Sequence, residues 1–149
     1  VAYVSHELME KTWQEVASRG VGPIGRMQKR HQKERKALVN FAYVHIFELR
    51  EDAAGVGLFV FHVIVEVFSR VTPRPGKVRQ SAIDRVQAQP AEELAQQTRQ
   101  CEPHVAQYLV DALTEEDDDV ALSEEERVHC AWVLQAVIVC LHRACERRA

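Results

Sequence analysis

Residues 53–71, "AAGVGLFVFHVIVEVFSRV", read as a helix that is apolar around most of its circumference. The interruptions at His62, Glu66 and Ser69 fall on one narrow stripe. A helix apolar on nearly all sides has to be surrounded by protein or by lipid. The apolar run from Ala53 to Val65, with His62 inside it, covers about a dozen residues, short of the roughly 20 that a membrane span needs. Glu51 and Asp52 precede it, and Glu66 and Arg70 follow. We therefore read 53–71 as a buried core helix, with no membrane as a partner. Residues 123–147 repeat the pattern. One face holds Ala131, Leu134, Ile138, Leu141 and Cys145, the adjoining face Cys130, Val133, Val137, Cys140 and Ala144, and Trp132 and Val139 widen it. Two such helices, with no strand-like alternation elsewhere, predict an all-α fold: a compact helical bundle of six or seven helices whose central helices are almost fully buried. The 149 residues suit one domain, large enough to bury its core without a metal or disulfide staple.

The remaining helices follow from local punctuation. Residues 5–19 form an amphipathic helix capped by Ser5, and Gly20 ends it. "GVGPIG" (20–25) reads as a hinge, which makes residues 1–25 an N-terminal arm. Residues 26–50 read as one long helix with a basic half, "RMQKRHQKERK", and an apolar half, "ALVNFAYVHIFELR". "VTPRPGK" (71–77) is a loop. Residues 78–100 are polar, with Ile83, Val86 and Leu94 as sparse apolar positions and Pro90 as a divider. Pro103 opens a helix carrying Val105, Tyr108, Leu109, Ala112 and Leu113. After the acidic stretch "TEEDDDVAL", Ser123 and Glu126 form a capping box for the last helix.

Few segments are apolar enough to cover two or three core helices, so a single chain is expected to leave an apolar patch in water. Such patches mark partner sites, and a closed two-fold pair hides one without forming fibres. The expected partner is a second copy, with Trp132 and Val139 on the interface. The basic run Arg26, Lys29, Arg30, Lys33, Arg35 and Lys36 adds a second expectation. Read as the start of a helix, these cations oppose its dipole, at roughly 0.3–1 kcal/mol each, and call for an anionic neighbour. Asp117, Asp118 and Asp119 in the acidic stretch are the candidates, facing Lys29, Arg30 and Lys33. Net charge is −3 and the basic run lacks interleaved aromatics, so nucleic acid is not an expected partner.

The residues that could carry chemistry are scattered. His62 and Glu66 are one turn apart, His45 and Glu48 are three apart, and Glu126-x-x-His129 has the order found in dinuclear carboxylate bundles. Together they suggest a site for iron, manganese or zinc, although only the last pair has that order. Cys101-x-x-His104 with His142-x-x-Cys145 suggests a closed zinc site. Each also has a plain structural reading: a polar helix edge, a cap, small buried thiols. No phosphate-binding glycine loop, nucleophile elbow or HExxH occurs. Four cysteines without a CxxC pair, and an opening "VAYVSHELME" without a basic-then-apolar leader, suggest a reducing, cytoplasmic setting. The reading is a non-catalytic protein–protein interaction module of regulatory or adaptor type, without a cofactor and acting as a homodimer. The alternative is a metal-dependent helical-bundle enzyme or sensor.

Overall fold

A computed structural model describes residues 1–71, 76–115 and 121–147. Among them are eight helices and no strand: α1 (His6–Ser18), α2 (Val21–Glu34), α3 (Lys36–Ile46), α4 (Glu51–Ser69), α5 (Gln80–Gln87), α6 (Ala91–Cys101), α7 (Pro103–Thr114) and α8 (Glu124–Glu146). The chain is all-α, with one helix more than the sequence suggests.

The extra helix comes from a break at Arg35, where φ is −130° and ψ is 42°. The basic half of 26–50 is polar and lies at the surface. The apolar half has to be enclosed, so the axis turns between them. Arg35 is itself buried, with its guanidinium donating to the Gly76 carbonyl. A second difference lies just before. Gly20 is the N-cap of α2 and Val21–Gly25 are already helical, so "GVGPIG" is a helix start and not an open loop. Pro23 is tolerated because first-turn N–H groups have no helical partner. His31 and Lys33 stand in the last turn of α2, where cations suit the dipole. Of the six cations in the run, only Arg35 and Lys36 stand at a helix start.

Both apolar helices are enclosed within the chain. α4 packs against α1, α2, α3, α7 and α8, and α8 against α3, α4, α5, α6 and α7. Phe61, Ile64 and Phe68 of α4 and Leu134, Ile138 and Leu141 of α8 are fully buried. By length and composition alone both helices could cross a membrane; two thirds of each apolar window is buried inside the protein. The polar stretch 78–100 covers α8 after all. It does so with a few fully buried residues, Ile83, Val86 and Leu94, while its remaining faces meet water.

Two glycines permit close approaches. A Cβ on Gly57 would lie 3.1 Å from Ile46 Cγ2 and 3.2 Å from Cys130 Sγ, so α4 meets α3 and α8 there without a side chain between them. A Cβ on Gly76 would lie 2.6 Å from the Ala144 carbonyl oxygen, which seats the strand of chain before α5 on the end of α8. The N-terminal segment is tied down by Glu102, fully buried between α6 and α7. Its carboxylate accepts from the backbone N–H groups of Tyr3 (3.0 Å) and Val4 (3.1 Å), and contacts His142 Nδ1 at 2.6 Å.

Candidate functional site

A chain of buried polar side chains joins α2, α3 and α4. Tyr43 Oη lies 2.8 Å from His62 Nε2, His62 Nδ1 lies 2.8 Å from His31 Nδ1, and His31 Nε2 lies 3.0 Å from Glu66 Oε1. His31 is fully buried and His62 and Glu66 nearly so. Burial, then the neighbouring His31, push His62 down to about 4, so its ring is neutral at ordinary pH. Burial alone would raise the Glu66 carboxyl. Hydrogen bonds from His31 and Arg30 and the positive charge of Arg30 overcome it and hold the group at about 2. A carboxylate only accepts. His31 Nε2–H therefore donates to Glu66. Arg30 also donates to Glu66, and Arg19 and Arg70 approach it at 3.5 and 3.9 Å. Arg70 in turn holds Glu15 (2.8 Å) and Thr12 (3.2 Å) on α1.

The network explains how α2 stays docked. Only Met27 and His31 of that helix are buried, so polar contacts, not area, carry much of its attachment to α4. His31 and Tyr43 are the members that sequence reasoning missed. The available signal was the one-turn spacing of Met27 and His31, which puts them on one face of a polar helix.

The six metal candidates fall in three places. His62 and Glu66 belong to the buried chain, where they meet opposite edges of the His31 ring instead of sharing a central point. His45, Glu48 and His129 gather at the end of α3. Glu48 lies 3.9 Å from His45 and 3.7 Å from His129, and His129 Nε2 donates to the His45 carbonyl at 2.7 Å. Glu126 completes the capping box with Ser123 and takes Arg50 at 2.8 Å; the Ser123 backbone N–H, then Arg50, hold its carboxyl below the usual range. Members of the second set have other partners. The Cys101 thiol donates to the Thr98 carbonyl, His104 packs on His6, and His142 lies between Glu102 and Glu146. Burial pushes the Cys101, Cys130 and Cys140 thiols up to about 11. Among the described residues, no three His, Cys, Asp or Glu side chains are placed to hold a metal ion.

The interaction candidates also separate. Val139 is 1% exposed, packed by its own chain, and offers no surface. Trp132 is half-buried against Phe41, His45 and His129. Lys29 and Lys33 are exposed, and Arg30 is engaged with Glu66. Asp117, Asp118 and Asp119 lie outside the described residues.

A groove of about 1110 Å³ lies between α1, α4 and α7, which sequence reasoning did not anticipate. Met9 and Val60 form buried floor, Trp13, Val56 and Tyr108 are partly covered, and Phe59 is 39% exposed. Small residues make the space: Ala17 on α1, Gly55 on α4 and Ala112 on α7 line it, and a Cβ added to Gly55 would meet nothing within 4 Å. Among the described residues, five carboxylates stand along it, Glu10, Glu51, Asp52, Asp111 and Glu115, and no lysine or arginine is in its lining. Glu51 and Asp52 sit in the first turn of α4, where the dipole favours them. Comparison with protein families, curated proteins and solved structures gave no match.

Proposed function

We propose that the chain is a non-catalytic protein–protein interaction module of regulatory or adaptor type, docking its partner in the groove between α1, α4 and α7. The supporting observation is the groove: an apolar floor flanked by side chains from three helices and left open by Ala17, Gly55 and Ala112. An amphipathic helix laid in an apolar groove is a recurring mode of peptide recognition. The groups that most resemble catalytic machinery are engaged in holding helices together: Glu66, His31 and His62 fasten α2, and Glu102 and His142 fasten the N-terminal segment. The metal-dependent alternative has no comparable support, since its six residues stand in three places. The free, mostly buried cysteines favour a cytoplasmic setting.

The homodimer is a separate proposal. Its support has moved from Val139 to the strip formed by Val128, exposed at 62%, and its neighbour one turn on, Trp132.

Selection of helical peptides against the immobilised protein tests the docking reading. Selected peptides should lose at least about tenfold in affinity, roughly 1.4 kcal/mol, for Gly55→Leu, which fills the groove. Binders equally tight for wild type and Gly55→Leu, or the absence of any binder, would refute the groove as the docking surface.

A further inference from the structure

We infer that the segment received by this groove is a basic amphipathic helix, with Lys or Arg flanking a single apolar stripe. The inference rests on the docking reading above and deepens it. Its first ground is charge. The five carboxylates come from all three walls: Glu10 from α1, Glu51 and Asp52 from α4, and Asp111 and Glu115 from the α7 side. Asp52 has an arginine, Arg50, at 3.7 Å. Asp111 accepts from Gln107, which leaves its charge in place. A guest of net negative charge would meet repulsion from every side, and a neutral one would forgo the attraction.

The second ground is shape. An α-helix about 10 Å across occupies roughly 850 Å³ in two turns, which suits a groove of about 1110 Å³. The floor offers Met9, Val60 and the exposed Phe59 to an apolar stripe one residue row wide. Met is a compliant surface for such stripes. The third ground is that Trp13, Phe59 and Tyr108 stand among the carboxylates. Lysine and arginine can lay their aliphatic stems on aromatic rings, gain a cation–π attraction and reach a carboxylate with their charged ends. An acidic wall over an aromatic and apolar floor thus matches both parts of a basic amphipathic residue pattern. The proteins that present such a helix are those this module would bind.

The test uses three synthetic helices of about 18 residues, identical in their leucine stripe and carrying Lys, Gln or Glu on the flanks. Binding is measured by calorimetry to the whole chain. The lysine peptide should bind at least about tenfold more tightly than the glutamine peptide at low salt, as expected of several rim pairs acting together. The glutamate peptide should bind weakest. The preference should shrink at about 1 M salt, where the screening length is about 3 Å. Gly55→Leu keeps every carboxylate, so it should abolish binding if the groove is the site and leave it intact if the attraction is merely to an acidic surface. The triple variant Glu10→Gln, Glu51→Gln, Asp111→Asn, which leaves Asp52 and Glu115, should reduce the lysine preference without weakening the glutamine peptide. Equal binding of the lysine and glutamine peptides would overturn the charge inference while leaving the docking reading in place. Binding of none, or lysine binding untouched by Gly55→Leu, would overturn both. A chain that pairs with itself alone, and becomes monomeric in Gly55→Leu, would assign the groove to a second copy and also overturn the inference.

Discussion

Gly55 and Gly57 are two residues apart in α4, and alanine at the two positions should change stability in opposite directions. Glycine inside a helix costs roughly 0.5–1 kcal/mol relative to alanine, because it loses more backbone freedom on folding. At Gly55 the new methyl meets nothing within 4 Å, so the whole gain should appear. Gly55→Ala is expected to stabilise the protein by about 0.5–1 kcal/mol, a shift of several tenths of a molar in the urea midpoint. At Gly57 the methyl would lie 3.1 Å from Ile46 Cγ2 and 3.2 Å from Cys130 Sγ. Both neighbours are fully buried, and carbon contacts in a well-packed core sit at about 3.5–4.0 Å. Overpacking of this kind costs about 1–3 kcal/mol, so the net change should be a loss of up to about 2 kcal/mol. Urea unfolding followed by far-ultraviolet circular dichroism measures both. Adding Cys130→Ala to Gly57→Ala should recover part of the loss, so the double variant is more stable than the sum of the singles. If Gly57→Ala stabilises as much as Gly55→Ala, the close contact between α4, α3 and α8 is wrong.

The buried chain carries an acid response whose sign is set by His62. Its folded value near 4 lies below the ordinary 6.5, so the unfolded chain takes up the proton first and stability falls as pH drops from about 6.5 to 4, by up to about 3 kcal/mol. Glu66 adds a second loss between about 4.5 and 2, as its carboxylate becomes protonated. His62→Gln should flatten the upper part of the stability–pH curve; an unchanged slope between pH 6.5 and 4 would contradict a buried neutral imidazole. Glu66→Gln leaves Arg19, Arg30 and Arg70 facing a neutral amide and should destabilise by roughly 2 kcal/mol, with solvent screening of the partly exposed arginines taken into account. The same variant should speed amide exchange in residues 21–34 more than in α8, and uniform protection across both would show that α2 is held by something else. A homodimer through Val128 and Trp132 predicts twice the chain mass by light scattering at micromolar concentration and one chain mass for Trp132→Glu. A wild-type mass of one chain would end that proposal.

Local signals in this chain are legible wherever one stretch contains its own partner. The Ser123–Glu126 capping box and the Ser5 cap form as their spacing predicts, because donor and acceptor lie within one turn. The all-helical class follows in the same way, from apolar residues recurring at helical period, and the His62–Glu66 stripe is visible because the two residues are one turn apart. What the sequence left undecided depends on contacts between distant segments. The break at Arg35 answers to Gly76, forty-one positions away. Whether "GVGPIG" is a loop or a helix start depends on α2 being held against α4 by His31 and Glu66, thirty-five positions apart. The dispersal of the metal candidates follows from which way three separate helices turn, and no spacing within a helix records that. The groove is the plainest case. Ala17, Gly55 and Ala112 are unremarked small residues in three helices, and they line one groove only when packing brings the three helices together. Helical period is a property of neighbours in sequence, whereas a cavity is the volume that neighbours in space decline to fill.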